Sequence, residues 1–100
     1  MKNTQIPTLP VSVECYKKAP IWLGSQIPAS MLAKHNTKAQ VWAVINILQG
    51  SLELKYTDTG DSITLTPEKR GICAPQQWHF ITIPTNVNED DVKIQINFYK

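Results

Sequence analysis

The chain has 100 residues and a mass of 11.3 kDa, with 42% hydrophobic and 18% charged residues; this is the balance of one globular domain, 1–100, and not of a disordered tail. Ten Lys and Arg against eight Asp and Glu leave a net charge of +2 spread along the chain, so there is no concentrated basic footprint and no nucleic-acid partner is expected. The longest uncharged stretch, Gly71 to Asn88, carries prolines, glutamines, asparagines and a histidine, which excludes it as a membrane span.

The N-terminal Met-Lys-Asn-Thr-Gln-Ile-Pro lacks the apolar core of a signal peptide, so a soluble, cytoplasmic protein is expected. Cys15 and Cys73 then read as free, mostly buried thiols. Four of the seven prolines, Pro7, Pro10, Pro20 and Pro28, lie in the first 30 residues. Proline removes a backbone donor and clashes inside a helix, so this region reads as extended segments around a core, with a short strand at Val11–Tyr16. Met31–His35 reads as a strand, with a helical turn from Ser30 to Ala33 as the alternative. Val41–Gln49 is an apolar run of strand length. Leu52, Leu54 and Tyr56 alternate with polar residues at the period of a half-buried strand. Gly50-Ser51 between them predicts a hairpin.

Asp58-Thr59-Gly60-Asp61 is a turn signal, and Ile63 and Leu65 alternate beyond it. A charged turn at Pro67–Gly71 precedes short strands at Ile72–Ala74 and His79–Ile83, each ended by a proline. Asn86–Asp91 is an acidic turn. Val92, Ile94, Ile96 and Phe98 alternate with polar residues in the last strand. Val, Ile and Thr total 26 residues, which favours strands throughout. The pattern predicts seven or eight short strands in an all-β sandwich or small barrel, with no helix.

The chain has two histidines. His79 shares a strand face with Ile81 and Ile83, and His35 one with Met31 and Ala33. Inward-pointing imidazoles on neighbouring strands would meet in an apolar cup. Burial favours the neutral ring, which is a common ligand for zinc, iron, nickel and copper; the alternative is two hydrogen-bonded core or rim histidines. No Asp or Glu falls where it would join them, and the inward-capable polar residues are amides: Gln49, Gln76, Gln77, Gln95 and Asn97. Pro75-Gln76-Gln77-Trp78-His79 is the densest polar and aromatic cluster, and Trp78 and Trp42 are candidate walls of a ligand pocket or, alternatively, core. Lys17-Lys18, Lys34, Lys38 and Lys69-Arg70 read as solvated charge, with Lys34 and Lys38 near His35 as a possible anion patch. No GxSxG, P-loop, GxGxxG or HExxH motif is present.

The order of His35, Gly50, Gly71, Pro75 and His79 among strands resembles a reduced cupin. Over nearly the whole chain, Tyr16-Lys17-Lys18-Ala19-Pro20, Trp22, His35-Asn36-Thr37-Lys38, Trp42, Pro75-Gln76-Gln77-Trp78-His79 and Phe98-Tyr99 resemble the TehB/YeaR-like cupin family. The sequence departs from that pattern at Gln40 and Ala43, where glycines are expected. The resemblance implies a cupin-like double-stranded β-barrel (jelly roll) tied to tellurite or related oxyanion stress. Methyl transfer belongs to a second domain in full-length TehB proteins and is not expected here. The resulting expectation is a homodimeric, non-enzymatic module for a small molecule or oxyanion. A divalent transition metal (zinc, iron or nickel) would sit on His35 and His79, and Trp42, Gln76, Gln77, Trp78 and Asn97 would line the pocket. The alternatives are a small metal-dependent cupin enzyme and a purely structural interaction domain.

Overall fold

The computed structural model describes residues 6–100 and is mostly β, with one helical turn. The strands in chain order are β1 (Cys15–Lys18), β2 (Trp22–Leu23), β3 (Trp42–Gln49), β4 (Leu52–Tyr56), β5 (Ser62–Leu65), β6 (Gly71–Cys73), β7 (His79–Thr82) and β8 (Lys93–Tyr99). The single α-helical turn, α1, is Ala29–Leu32, and short 3-10 turns occupy Gly24–Gln26 and Glu89–Asp91. All strand pairs are antiparallel. A larger sheet runs β1-β8-β3-β6, with β2 also on β8, and a smaller one runs β5-β4-β7. The two sheets do not close into a barrel. They share one core, with Ala43, Ile45, Ile47, Ile94 and Ile96 from the larger sheet meeting Leu52, Leu54, Tyr56, Leu65 and Ile81 from the smaller.

The period-2 expectation holds in detail for β4 and β8. Leu52, Leu54 and Tyr56 are fully buried while Glu53 and Lys55 are exposed, and Ile94 and Ile96 are fully buried. The predicted hairpin over Gly50 is corrected. β3 pairs with β6 and β8, and β4 pairs with β5 and β7, so the chain changes sheets at Gly50-Ser51. Gly50 has a φ of +80°, and a Cβ there would lie 2.6 Å from the Asp91 carbonyl oxygen. Only glycine takes that corner without strain. A turn residue between two apolar runs cannot say whether the second run returns beside the first or crosses to the opposite sheet.

Three further expectations change. Residues 29–32 form the helical turn that was the alternative to a strand, with the Ala33 N–H donating to the Ala29 carbonyl. The first strand begins at Cys15 rather than Val11, because its partner is the C-terminal end of β8, Asn97–Tyr99. Both cysteines are free, but only Cys73 is buried; Cys15 is exposed. Gln40 has a φ of 68°, in the left-handed region that glycine occupies without cost. Among the described residues no helix is long and apolar enough to cross a membrane.

Candidate functional site

The edge of the smaller sheet is extended past β7 by a single residue. The His35 N–H donates to the His79 carbonyl and the His79 N–H to the His35 carbonyl, both at 2.9 Å. Residues paired this way present their side chains on the same face. The two rings therefore meet, with centroids 4.3 Å apart and planes at 66°. Positions 35 and 79 are joined by backbone pairing, and the helical turn just before His35 removes the strand alternation with Met31 and Ala33.

Each ring is fixed by a carbonyl two residues before it. His35 Nδ1 lies 2.9 Å from the Ala33 oxygen, and His79 Nδ1 lies 2.7 Å from the Gln77 oxygen. A carbonyl can only accept, so both Nδ1 atoms carry the hydrogen. Each neutral ring then keeps its lone pair on Nε2, and neither Nε2 has a hydrogen-bond partner among the described residues. His79 is 2% exposed. Burial lowers its pKa and the His35 ring beside it lowers it further, while the Gln77 carbonyl and the Asp58 carboxylate pull the other way. The neutral ring is thus its resting form near neutrality. Cys73, also buried, has its thiol pushed up to about 12 and stays an inert apolar side chain.

The pair forms one wall of a cavity of about 290 Å³ between the sheets. Its apolar surface comes from Met31 on α1, Val41 just before β3, Ala43 and Ile45 on β3, and Ile96 and Phe98 on β8. Ala43 is the small residue of the inner face of β3, and both it and His79 line the cavity. The polar rim is Tyr16 and Lys17 from β1 and the run His35-Asn36-Thr37-Lys38. Thr37 ties that run to the loop before β7: its hydroxyl donates to the Val41 carbonyl at 2.8 Å and accepts from the Gln76 N–H at 3.1 Å.

The other expected pocket residues lie outside the cavity lining. Trp42 and Asn97 alternate with Ala43 and with Ile96 and Phe98, so they occupy the outer face of the larger sheet. Trp78 alternates with His79, is 44% exposed, and packs under Lys34, whose Nζ is 5.3 Å from the ring. Gln76 is exposed with a φ of 60°. Gln77 braces the loop before β7, where its Oε1 accepts from the Ala74 N–H at 3.0 Å and its carbonyl holds His79. Of the expected anion patch, Lys38 lines the cavity and Lys34 does not. Lys17, which reads as solvated charge, also lines it, opposite Phe98 in register and with its Nζ 5.9 Å from that ring. Only the β1–β8 register reveals this placement.

The implied metal needs a donor set. Among the described residues no group of three or more His, Cys, Asp and Glu comes together. Anchoring Nδ1 on a carbonyl is also how metal-bound imidazoles are oriented, but two imidazoles leave a tetrahedral or facial-triad site short of protein ligands. The residues present do not make up the group's full donor set, and no chemistry is derived through it.

The family description "TehB-like domain" matches residues 17–96. This chain belongs to the TehB-like domain family. It is 33% identical over 90 residues to a protein of Haemophilus influenzae (strain Rd) named as a probable S-adenosyl-L-methionine-dependent methyltransferase, TehB. That match covers 85% of this chain and 30% of the relative. The crystal structure of TehB from Haemophilus influenzae superposes with a TM-score of 0.74 at 32% identity, covering 87% of this chain and 31% of that one. A structural-genomics crystal structure from E. coli (strain K12) gives a TM-score of 0.81 at 18% identity, covering 95% and 97% of the two chains; it shares the fold. The TehB-like domain thus spans under a third of the length of the curated relatives it matches.

Proposed function

We propose that this TehB-like domain is a binding module for a small molecule or oxyanion, serving the family's link to tellurite and related stress without methyl transfer of its own. The observation that carries this reading is the cavity itself. It has concave apolar walls, a convergent imidazole pair, and Lys17 and Lys38 among its lining residues. A mostly apolar cleft with a few convergent polar groups is the usual form of a small-molecule site, and 290 Å³ is close to the lower end of the usual range of about 300–1,000 Å³. The rim charges favour a negatively charged or acidic occupant. In fold terms we read the two sheets as an opened cupin-like jelly roll, with the cavity at one mouth.

The test is a titration followed by amide NMR, using tellurite, selenite, benzoate, hexanoate and benzyl alcohol as separate probes. At least one of them is expected to give saturable shifts at His35, Thr37, Ala43, His79 and Ile96. Absence of saturable shifts at these positions for every probe contradicts the binding role.

A further inference from the structure

The cavity has two features that a bare oxyanion does not satisfy. The first is its apolar lining. Val41, Ala43, Ile45 and Ile96 form its buried side, and the half-buried Met31 and Phe98 carry apolar surface still open to it. An inorganic oxyanion would give up water on that side and gain nothing in return. A hydrocarbon body gains by covering the same surface, at roughly 25 cal/mol per Å² buried. The second feature is the hydrogen-bonding character of the wall. With both Nδ1 atoms committed to carbonyls, the pair offers two lone-pair nitrogens and no hydrogen. A carboxylate oxygen is also an acceptor, so the two can meet only with a hydrogen between them.

We propose that the cavity takes a small organic acid whose apolar body lies between the sheets and whose acid group meets the His35–His79 pair, with one proton held between acid and imidazole. This rests on the reading of the cavity as a ligand site and names its ligand class. The proton comes from solvent, since the acid is ionised in water near neutrality. The complex therefore forms from the anion, one proton and the empty site.

The charged and titratable groups around the pair agree with a single negative charge. Lys17 and Tyr16 line the same cavity from β1, and Lys38 does so from the run after His35. Tyr56 stands opposite His79 in register on β4, and buried Tyr56 has its hydroxyl raised well out of the neutral range. Asp58, in the turn after β4, is the acidic neighbour acting on His79, and its carboxylate accepts from Gln77 Nε2 at 3.4 Å. The two lysines outweigh Asp58 by one positive charge, which matches one acid anion, and the adjacent imidazoles resist a second proton because their charges would repel. In the free protein the lowered pKa of His79 keeps its ring neutral at and above neutrality. A proton held on that ring in the complex is therefore taken up on binding.

Isothermal titration calorimetry with benzoate and hexanoate tests this, at about pH 7 and pH 8 and in two buffers of different ionisation enthalpy. The account expects both acids to bind and the affinity to fall about tenfold per pH unit on the alkaline side, the slope for uptake of one proton. The buffer difference should correspond to one proton taken up. Lys17→Ala, an exposed change, should weaken both acids, and benzyl alcohol should bind more weakly than either. Carboxylate affinity that does not change with pH overturns the proposal, as does benzyl alcohol binding equally well. Saturable binding of selenite or tellurite with none of the organic acids also overturns it but leaves the binding role standing. Failure of every probe removes both.

Discussion

Replacing Tyr56 by Ala should lower unfolding free energy by about 3–5 kcal/mol, a large part of the roughly 5–15 kcal/mol that holds a typical domain folded. Tyr56 is fully buried and is the largest such side chain among the described residues. It belongs to β4 in the smaller sheet, and its hydroxyl donates to the Ile72 carbonyl on β6 in the larger one. The side chain thus ties the two sheets together as well as filling the core. Truncation leaves a cavity between the sheets and an unpaired carbonyl. Tyr56→Phe separates the two effects: it keeps the ring and loses only the hydrogen bond, at about 1–3 kcal/mol for the stranded acceptor. Urea denaturation followed by tryptophan fluorescence reads both variants. A Tyr56→Ala protein within about 1 kcal/mol of wild type would show that the sheets are not joined through this residue.

Ala43→Leu should weaken whatever ligand the cavity holds by at least about a hundredfold, which is some 2.7 kcal/mol, while leaving the protein folded. Ala43 is 4% exposed, stands between Phe98 and Cys73 in register, and lines the cavity. The three added carbons would be directed into the cavity that Ala43 lines. The usual overpacking cost of about 1–3 kcal/mol should therefore be largely avoided. Thermal melting establishes the fold, and calorimetry with the tightest of the probes establishes the loss. A folded Ala43→Leu protein that binds with wild-type affinity would place the ligand somewhere other than between the sheets.

The readable parts of the fold are those where local alternation and burial say the same thing. β4 and β8 show it best, because every second residue is apolar and one face of each is buried. Gly50 shows the opposite case. Its left-handed φ and the Asp91 carbonyl beside it require glycine, but those constraints come from a segment 41 positions away in the chain. The meeting of His35 and His79 is legible as an outcome, through the parity of His79 with Ile81. The route by which His35 arrives is not, since the turn of helix at Ala29–Leu32 precedes it and a lone backbone bridge seats it. Trp42, Trp78 and Asn97 draw attention by their chemistry, yet each is one residue out of phase with the cavity-facing set. Lys17 is hidden for the converse reason. Nothing in Tyr16-Lys17-Lys18 distinguishes a rim cation from solvated charge until β1 is laid against the end of β8.

The proposed ligand chemistry depends on the form in which the paired rings face the cavity, and a long-range proton–nitrogen NMR spectrum of the histidine rings, recorded above the ordinary histidine pKa of about 6.5, reads it directly. The account predicts that both rings carry hydrogen on Nδ1 and a lone pair on Nε2, with a through-space contact between them. Hydrogen on Nε2 of both rings, or two rings with no contact, would contradict it.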